Sequence, residues 1–219
     1  MSTPSQLPTL FISHGSPTFA IDPGQAGPAL TALGRTLPRP KAILVVSPHW
    51  TTREPRVATT PRPQTIHDFG GFPPALYQLQ YPAPGAPDVA QRAIDLLRAA
   101  GYAAEADTQW GLDHGAWVPL LHLLPQADVP VFQVSLPARL DGERAYAYGQ
   151  ALAPLASEGV LIIGSGSLTH NLYEVRFDAP DAQGETYAVE FSRWINDVVT
   201  GRDHARLQQT MTQAPHAQR

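Results

Sequence analysis

The stretch AILVVSPHW, residues 42–50, decides the fold. Ala42 to Val46 run without a polar break, the pattern of a strand buried on both faces. Ser47-Pro48 ends the run and His49 follows at once. An earlier stretch repeats the arrangement. Leu7–Ser13 reads as a second buried strand and delivers His14, followed by Gly15-Ser16-Pro17. A buried imidazole without a partner is costly, so two such strand exits in one chain call for a shared reason.

Outward from these two strands, apolar runs alternate with amphipathic stretches. Val129–Leu136 and Val160–Ser165 read as buried strands, and Arg56–Thr60 and Tyr102–Asp107 as weaker ones. Ala26–Leu37, Asp88–Ala100, Ala116–Leu124, Gly142–Ser157 and Glu185–Val199 read as helices, with Asp88 as an N-cap and Gly101 as a C-cap. The alternation predicts a single α/β domain over residues 1–219, with a mostly parallel sheet covered by helices on both faces. One segment interrupts it: TTPRPQTIHDFGGFPPALYQLQYPAPGAP, from Thr59 on, is too polar, proline-rich and aromatic for core. An excursion of this length is typically a lid or a site wall.

The bulk numbers narrow the function. At 219 residues the chain suits one well-covered domain. A hydrophobic share of 43% and a charged share of 16% describe a globular protein. The net charge is −4 and no basic run exists, which argues against nucleic acid and anionic membrane as partners. No stretch approaches the ~20 apolar residues of a membrane helix. The N-terminus MSTPSQLPTL lacks a basic segment followed by an apolar core and reads as unprocessed and cytosolic. Cysteine is absent, which removes thiol nucleophiles and Cys-type zinc or iron–sulfur sites.

Histidine is left to carry the chemistry. In open α/β sheets, ligands bind beyond the C-terminal ends of the strands. If the strands ending at His14 and His49 are neighbours, their ends lie ~5 Å apart and the rings can converge. Metal is the natural partner, since imidazole is the commonest ligand. His114 in GLDHGAW precedes a helix, and His170 follows the turn Gly164-Ser165-Gly166-Ser167. His67 in TIHDFGGF either lines the site or bonds within its own loop. His122 in VPLLHLLPQ reads as a packing residue, and His204 and His216 as solvated. Trp50, Trp110, Trp117, Phe69 and Phe72 stand beside the candidates, where aromatics commonly pack as walls and would also suit an aromatic substrate. The Gly-Ser-Gly-Ser turn lacks the rest of a phosphate-binding fingerprint, and no G-x-S-x-G elbow supports serine hydrolysis.

LFISHGSP, VVSPHW, TIHDFGGFPPALYQLQYPAPG, GLDHGAWVPL and GSGSLTHNL together resemble the class III extradiol ring-cleavage dioxygenases, in the DOPA 4,5-dioxygenase-like branch. The resemblance spans about residues 8 to 172. It implies one α/β catalytic domain with a mixed central sheet, a small aromatic diol and O2 as substrates, and Fe2+ or Zn2+ as cofactor. It also implies roles: His14 and His49 as metal ligands, His170 as general base, and His114 as a second acid/base or positioning group. His67, Phe72 and Trp50 are expected at the substrate. The family's third ligand, a histidine or a carboxylate, comes from a motif near its C-terminus. Here TQAPHAQR ends the chain, no Glu-His motif follows, and His216 stands in a different context. The expectation is therefore a chain lacking the family's C-terminal segment. Two other readings fit the same histidines: a zinc-dependent hydrolase in the same pocket, and an inactive remnant that binds a partner.

Overall fold

The computed structural model describes residues 7–175 and 184–219. In chain order these form β1 (Thr9–Ser13), α1 (Ala26–Thr36), β2 (Ala42–Thr52), β3 (Arg56–Ala58), α2 (Pro87–Ala99), β4 (Glu105–Asp107), α3 (His114–Leu123), β5 (Val131–Pro137), α4 (Gly142–Leu152), α5 (Pro154–Ser157), β6 (Val160–Gly166), α6 (Thr186–Thr200), α7 (His204–Gln208) and α8 (Thr210–Gln213). They fall into two compact units. One holds residues 7–139 with Gly149–Gly166; the other holds Leu140–Tyr148 and the described residues from Ser167 on. The reading of the N-terminus falls largely on residues 1–6, outside the described residues. Among the described residues, no helix is long and apolar enough to cross a membrane.

The first unit is an α/β layer structure around a six-stranded sheet in the order β1-β6-β2-β5-β3-β4. All neighbours run parallel except β3 and β5, which meet antiparallel at Val57 and Val134, so the sheet is mixed. Ile43, Leu44 and Val45 in β2 are each at most 1% exposed. Successive side chains in a strand point to opposite faces, so both faces of the sheet are covered there. One face packs Ile43, Val45, Val131, Leu161 and Ile163 against Trp117 and Leu120 of α3. Helix α1 lies on α3 in turn.

The contact between those two helices depends on a glycine. A Cβ on Gly34 of α1 would stand 1.8 Å from the carbonyl oxygen of Leu123. Alanine favours a helix over glycine by ~1 kcal/mol, but overpacking against backbone costs ~1–3 kcal/mol and belongs here at the upper end. Gly34→Ala is therefore expected to lower the melting temperature by ~4–8 °C, measurable by circular dichroism.

Several boundaries differ from the sequence reading. Pro87 takes the first position of α2, so Asp88 sits inside the first turn, where its charge suits the helix N-terminus, and is not the N-cap. Gly101 is the left-handed residue after the cap, with φ +90°. The single helix expected over Gly142–Ser157 breaks before Pro154, which cannot continue a helix and opens α5 instead. The polar C-terminal stretch folds into α7 and α8.

Two corrections matter for the site. Strands β1 and β2 are not neighbours, because β6 lies between them. And β2 does not stop at Ser47. Five steps along it (46 to 51) match two along β5 (134 to 136), so β2 carries three extra residues as a bulge. His49 rides on that bulge. The proline-rich excursion is also less peripheral than its composition suggests. Tyr81 and Ala83 are buried in the main core, and the Tyr81 hydroxyl donates to Leu124 O at 2.8 Å.

Candidate metal centre

Three histidines meet beyond the C-terminal ends of the parallel strands. His14 follows β1 and extends its ladder, its N–H donating to Gly166 O at 3.2 Å. His49 projects from the bulge of β2. His114 opens α3, whose N-cap is Asp113, with its carboxylate accepting from Ala116 N at 3.2 Å. Each ring offers a nitrogen within 4.8 Å of the other two. Nε2 of His14 and Nε2 of His49 are 3.1 Å apart. Two nitrogens bound ~2.1 Å from one ion at tetrahedral or octahedral angles stand ~3.0–3.4 Å apart. The spacing fits a shared cation, and the all-nitrogen donors suit Fe2+ or Zn2+ and not Ca2+ or Mg2+. The rings of His49 and His114 are the closest pair, with centroids 3.9 Å apart.

A layer of partners holds the rings. Asp68, from the excursion, accepts from His114 N through Oδ1 at 2.8 Å. Its Oδ2 lies 3.0 Å from His114 Nδ1 and 3.7 Å from His49 Nδ1. Burial works to raise the Asp68 pKa. The His114 ring, its amide N–H and its charge outweigh that, and the carboxyl stays below its ordinary value. Asp113 is fully buried. Burial raises its pKa, against hydrogen bonds from Gln133 and Ser47. Gln133 and Asp113 grip each other twice: Asp113 N donates to Gln133 Oε1, and Gln133 Nε2 donates to Asp113 Oδ2, both at 2.8 Å. That double bond fixes the start of α3 and hence His114.

The remaining candidates fall in different places. His67 donates from Nε2 to Leu79 O at 3.0 Å, so it is bonded within its own excursion. Its ring stands 5.6 Å from Trp117 and 5.7 Å from Phe69. Phe72 meets Phe69 at 5.4 Å, and Phe69 in turn meets His114 edge-on at 5.7 Å. Of the two phenylalanines, Phe69 is therefore the one against the cluster. Trp50 is only 4% exposed and stacks on Trp110 at 4.8 Å. The expectation of substrate contact meets a side chain committed to packing. His122 donates to Phe19 O at 2.9 Å, as a packing histidine should. His170 is exposed in the second unit, four residues past the end of β6. His216 pairs with Glu190 at 2.8 Å.

Comparison with known proteins places this arrangement. The chain is 44% identical over 213 residues to a Beta vulgaris protein named 4,5-DOPA dioxygenase extradiol, covering 95% of this chain and 78% of the relative. It is 39% identical over 196 residues to an Escherichia coli protein of the same name, covering 90% and 72%. A crystal structure of an uncharacterized Escherichia coli K12 protein superposes with a TM-score of 0.76 at 30% identity, over 96% of this chain and 82% of that one. The fold and the extradiol, ring-opening class of the enzyme follow. Residues 8–215 match the catalytic LigB subunit of aromatic ring-opening dioxygenase, and the chain belongs to that metal-dependent family.

Proposed function

We propose that residues 1–219 act as one catalytic domain that opens the ring of a DOPA-like catechol with O2, beside the diol, at a ferrous centre held by His14 and His49. The carrying observation is the 3.1 Å approach of two Nε2 atoms delivered by different strands. The names of the relatives support the substrate class, and the family match, which runs through both units, supports a single domain. When bound, Fe2+ supplies a Lewis-acidic centre for the diol oxygens and an electron route from ring to O2.

The chain's own residues do the rest. His14 and His49 fix the cation at the strand ends. His114, whose backbone N–H bonds Asp68 and whose Nδ1 lies 3.0 Å from that carboxylate, returns a proton to the oxygen derived from O2. His170 takes the proton from the catechol hydroxyl. Phe69, with Phe72 behind it, walls the aromatic ring. The excursion that carries Asp68 and Phe69 shields the site from water.

Anaerobic loading with Fe2+, followed by L-DOPA and air, is expected to give a yellow ring-opened product with matching oxygen uptake. Zinc-loaded protein should take up no oxygen, and hydrolysis without oxygen uptake would overturn the reading. His170→Ala is expected to keep its metal and lose turnover by ~10²–10⁴-fold. If it loses the metal while His49 is intact, the base assignment fails.

A further inference from the structure

The hydroxyl of Ser165 has one hydrogen and two polar neighbours. Its Oγ lies 2.5 Å from the carbonyl oxygen of Gly115 and 2.8 Å from Nδ1 of His14. A carbonyl can only accept, so the hydroxyl hydrogen goes to Gly115. Oγ then offers His14 nothing but lone pairs, and Nδ1 must carry the N–H. In a neutral imidazole that leaves Nε2 bare. Nε2 is the nitrogen that faces His49.

The Gly115 carbonyl is available for a reason written in the helix. In α3, the carbonyl of residue 115 would accept the N–H of residue 119. Residue 119 is Pro119, which has no N–H. The acceptor is left to β6, and Ser165 takes it. Ser165 and His14 are 6% and 4% exposed, so bulk water does not compete for these bonds. The chain from His14 Nδ1–H to Ser165 Oγ–H to Gly115 O therefore runs in one direction, set by an acceptor that cannot reverse.

We propose that Ser165 is the positioning residue that makes His14 a metal ligand, by holding its proton on Nδ1 and turning the Nε2 lone pair to the site. The assignment rests on the reading of His14 as a ligand. A metal-binding histidine commonly has its second nitrogen held in this way, and loss of such a partner costs 10–100-fold in metal affinity. Here a serine relay to a proline-freed carbonyl takes the place that a carboxylate often holds.

The test starts from metal-free protein labelled with 15N-histidine. Two-bond proton–nitrogen correlation spectra report which ring nitrogen is protonated, and the His14 signals are those lost in His14→Asn. The wild type is expected to show a protonated Nδ1 and a bare Nε2. Ser165→Ala is expected to shift His14 towards Nε2–H and to weaken Zn2+ binding ~10–100-fold against a chromophoric chelator. Ser165→Thr, which keeps the hydroxyl, should restore both. A protonated Nε2 in the wild type overturns the proposal, and that spectrum decides even if Ser165→Ala does not fold. So does a Ser165→Ala protein that melts lower but keeps the wild-type tautomer and Zn2+ affinity, since Ser165 would then be structural alone. Wild-type protein with N–H on Nδ1 that binds neither Zn2+ nor Fe2+ would instead overturn the metal-centre reading.

Discussion

His49→Ala is expected to fold as the wild type does and to lose its metal. The side chain is 27% exposed and stands on a bulge, outside the packed part of β2. Truncation there costs at most ~1 kcal/mol, or ~2–4 °C in the melting temperature of the metal-free protein. The effect on binding is far larger. Zinc binding by four protein ligands is worth ~10–16 kcal/mol, so one ligand carries ~3–4 kcal/mol and its loss weakens binding ~10²–10³-fold. At micromolar metal the variant should be empty, and catechol-dependent oxygen uptake should vanish with it. Competition with a chromophoric chelator measures the first effect and an oxygen electrode the second. A His49→Ala protein that binds one Zn2+ or Fe2+ as tightly as the wild type would refute the assigned centre.

The four main strands were readable because each is an apolar run bounded by turn residues, and His14 and His49 were readable because each closes such a run. What composition could not show was how the runs are ordered across the sheet. His14 and His49 come from strands that β6 separates, not from adjacent strands, and from that middle strand Ser165 reaches His14 at 2.8 Å. The bulge in β2 was likewise hidden, because Ser47-Pro48 reads as the end of a strand when it is the start of a detour within one. Residues that act on the histidines were harder still. Asp68 lies in a segment read as too polar and proline-rich for core, a lid or site wall, and it reaches two of the three rings. A signal existed for it: a carboxylate directly after His67, in an excursion already suspected as a wall. Ser165 was read as part of a tight turn. Its role depends on Pro119, 46 positions earlier in the sequence, and only the fold connects them. Trp50 shows the opposite case. Proximity in sequence to His49 suggested a shared site, but its ring is buried in a stack on Trp110.

Gly115→Ala is expected to damage both the centre and the fold, and the ratio of the two effects is informative. Gly115 sits in the first turn of α3, where alanine would ordinarily gain up to ~1 kcal/mol. A Cβ there would stand 2.4 Å from Ser47 Oγ, 3.0 Å from Cδ2 of His49 and 3.1 Å from Asp113 Oδ1. Ser47 and Asp113 are both fully buried, and Asp113 is held by Gln133 as well as by its cap bond. Neither gives way cheaply. His49, partly exposed and on a bulge, is the neighbour that can move. The methyl group therefore displaces the His49 ring from Nε2 of His14 while overpacking the start of α3 at ~1–3 kcal/mol. Less the helix gain, the melting temperature should fall by no more than ~8 °C, whereas Zn2+ affinity should drop ~10²-fold or more, close to the loss of a ligand. Gly34→Ala provides the comparison, since it overpacks the other end of the same helix without touching a histidine. It should lower the melting temperature by a similar amount and leave metal affinity within about twofold of the wild type. Equal losses of affinity in the two variants would mean that the centre responds to general loosening of α3 and not to the space that Gly115 leaves for His49.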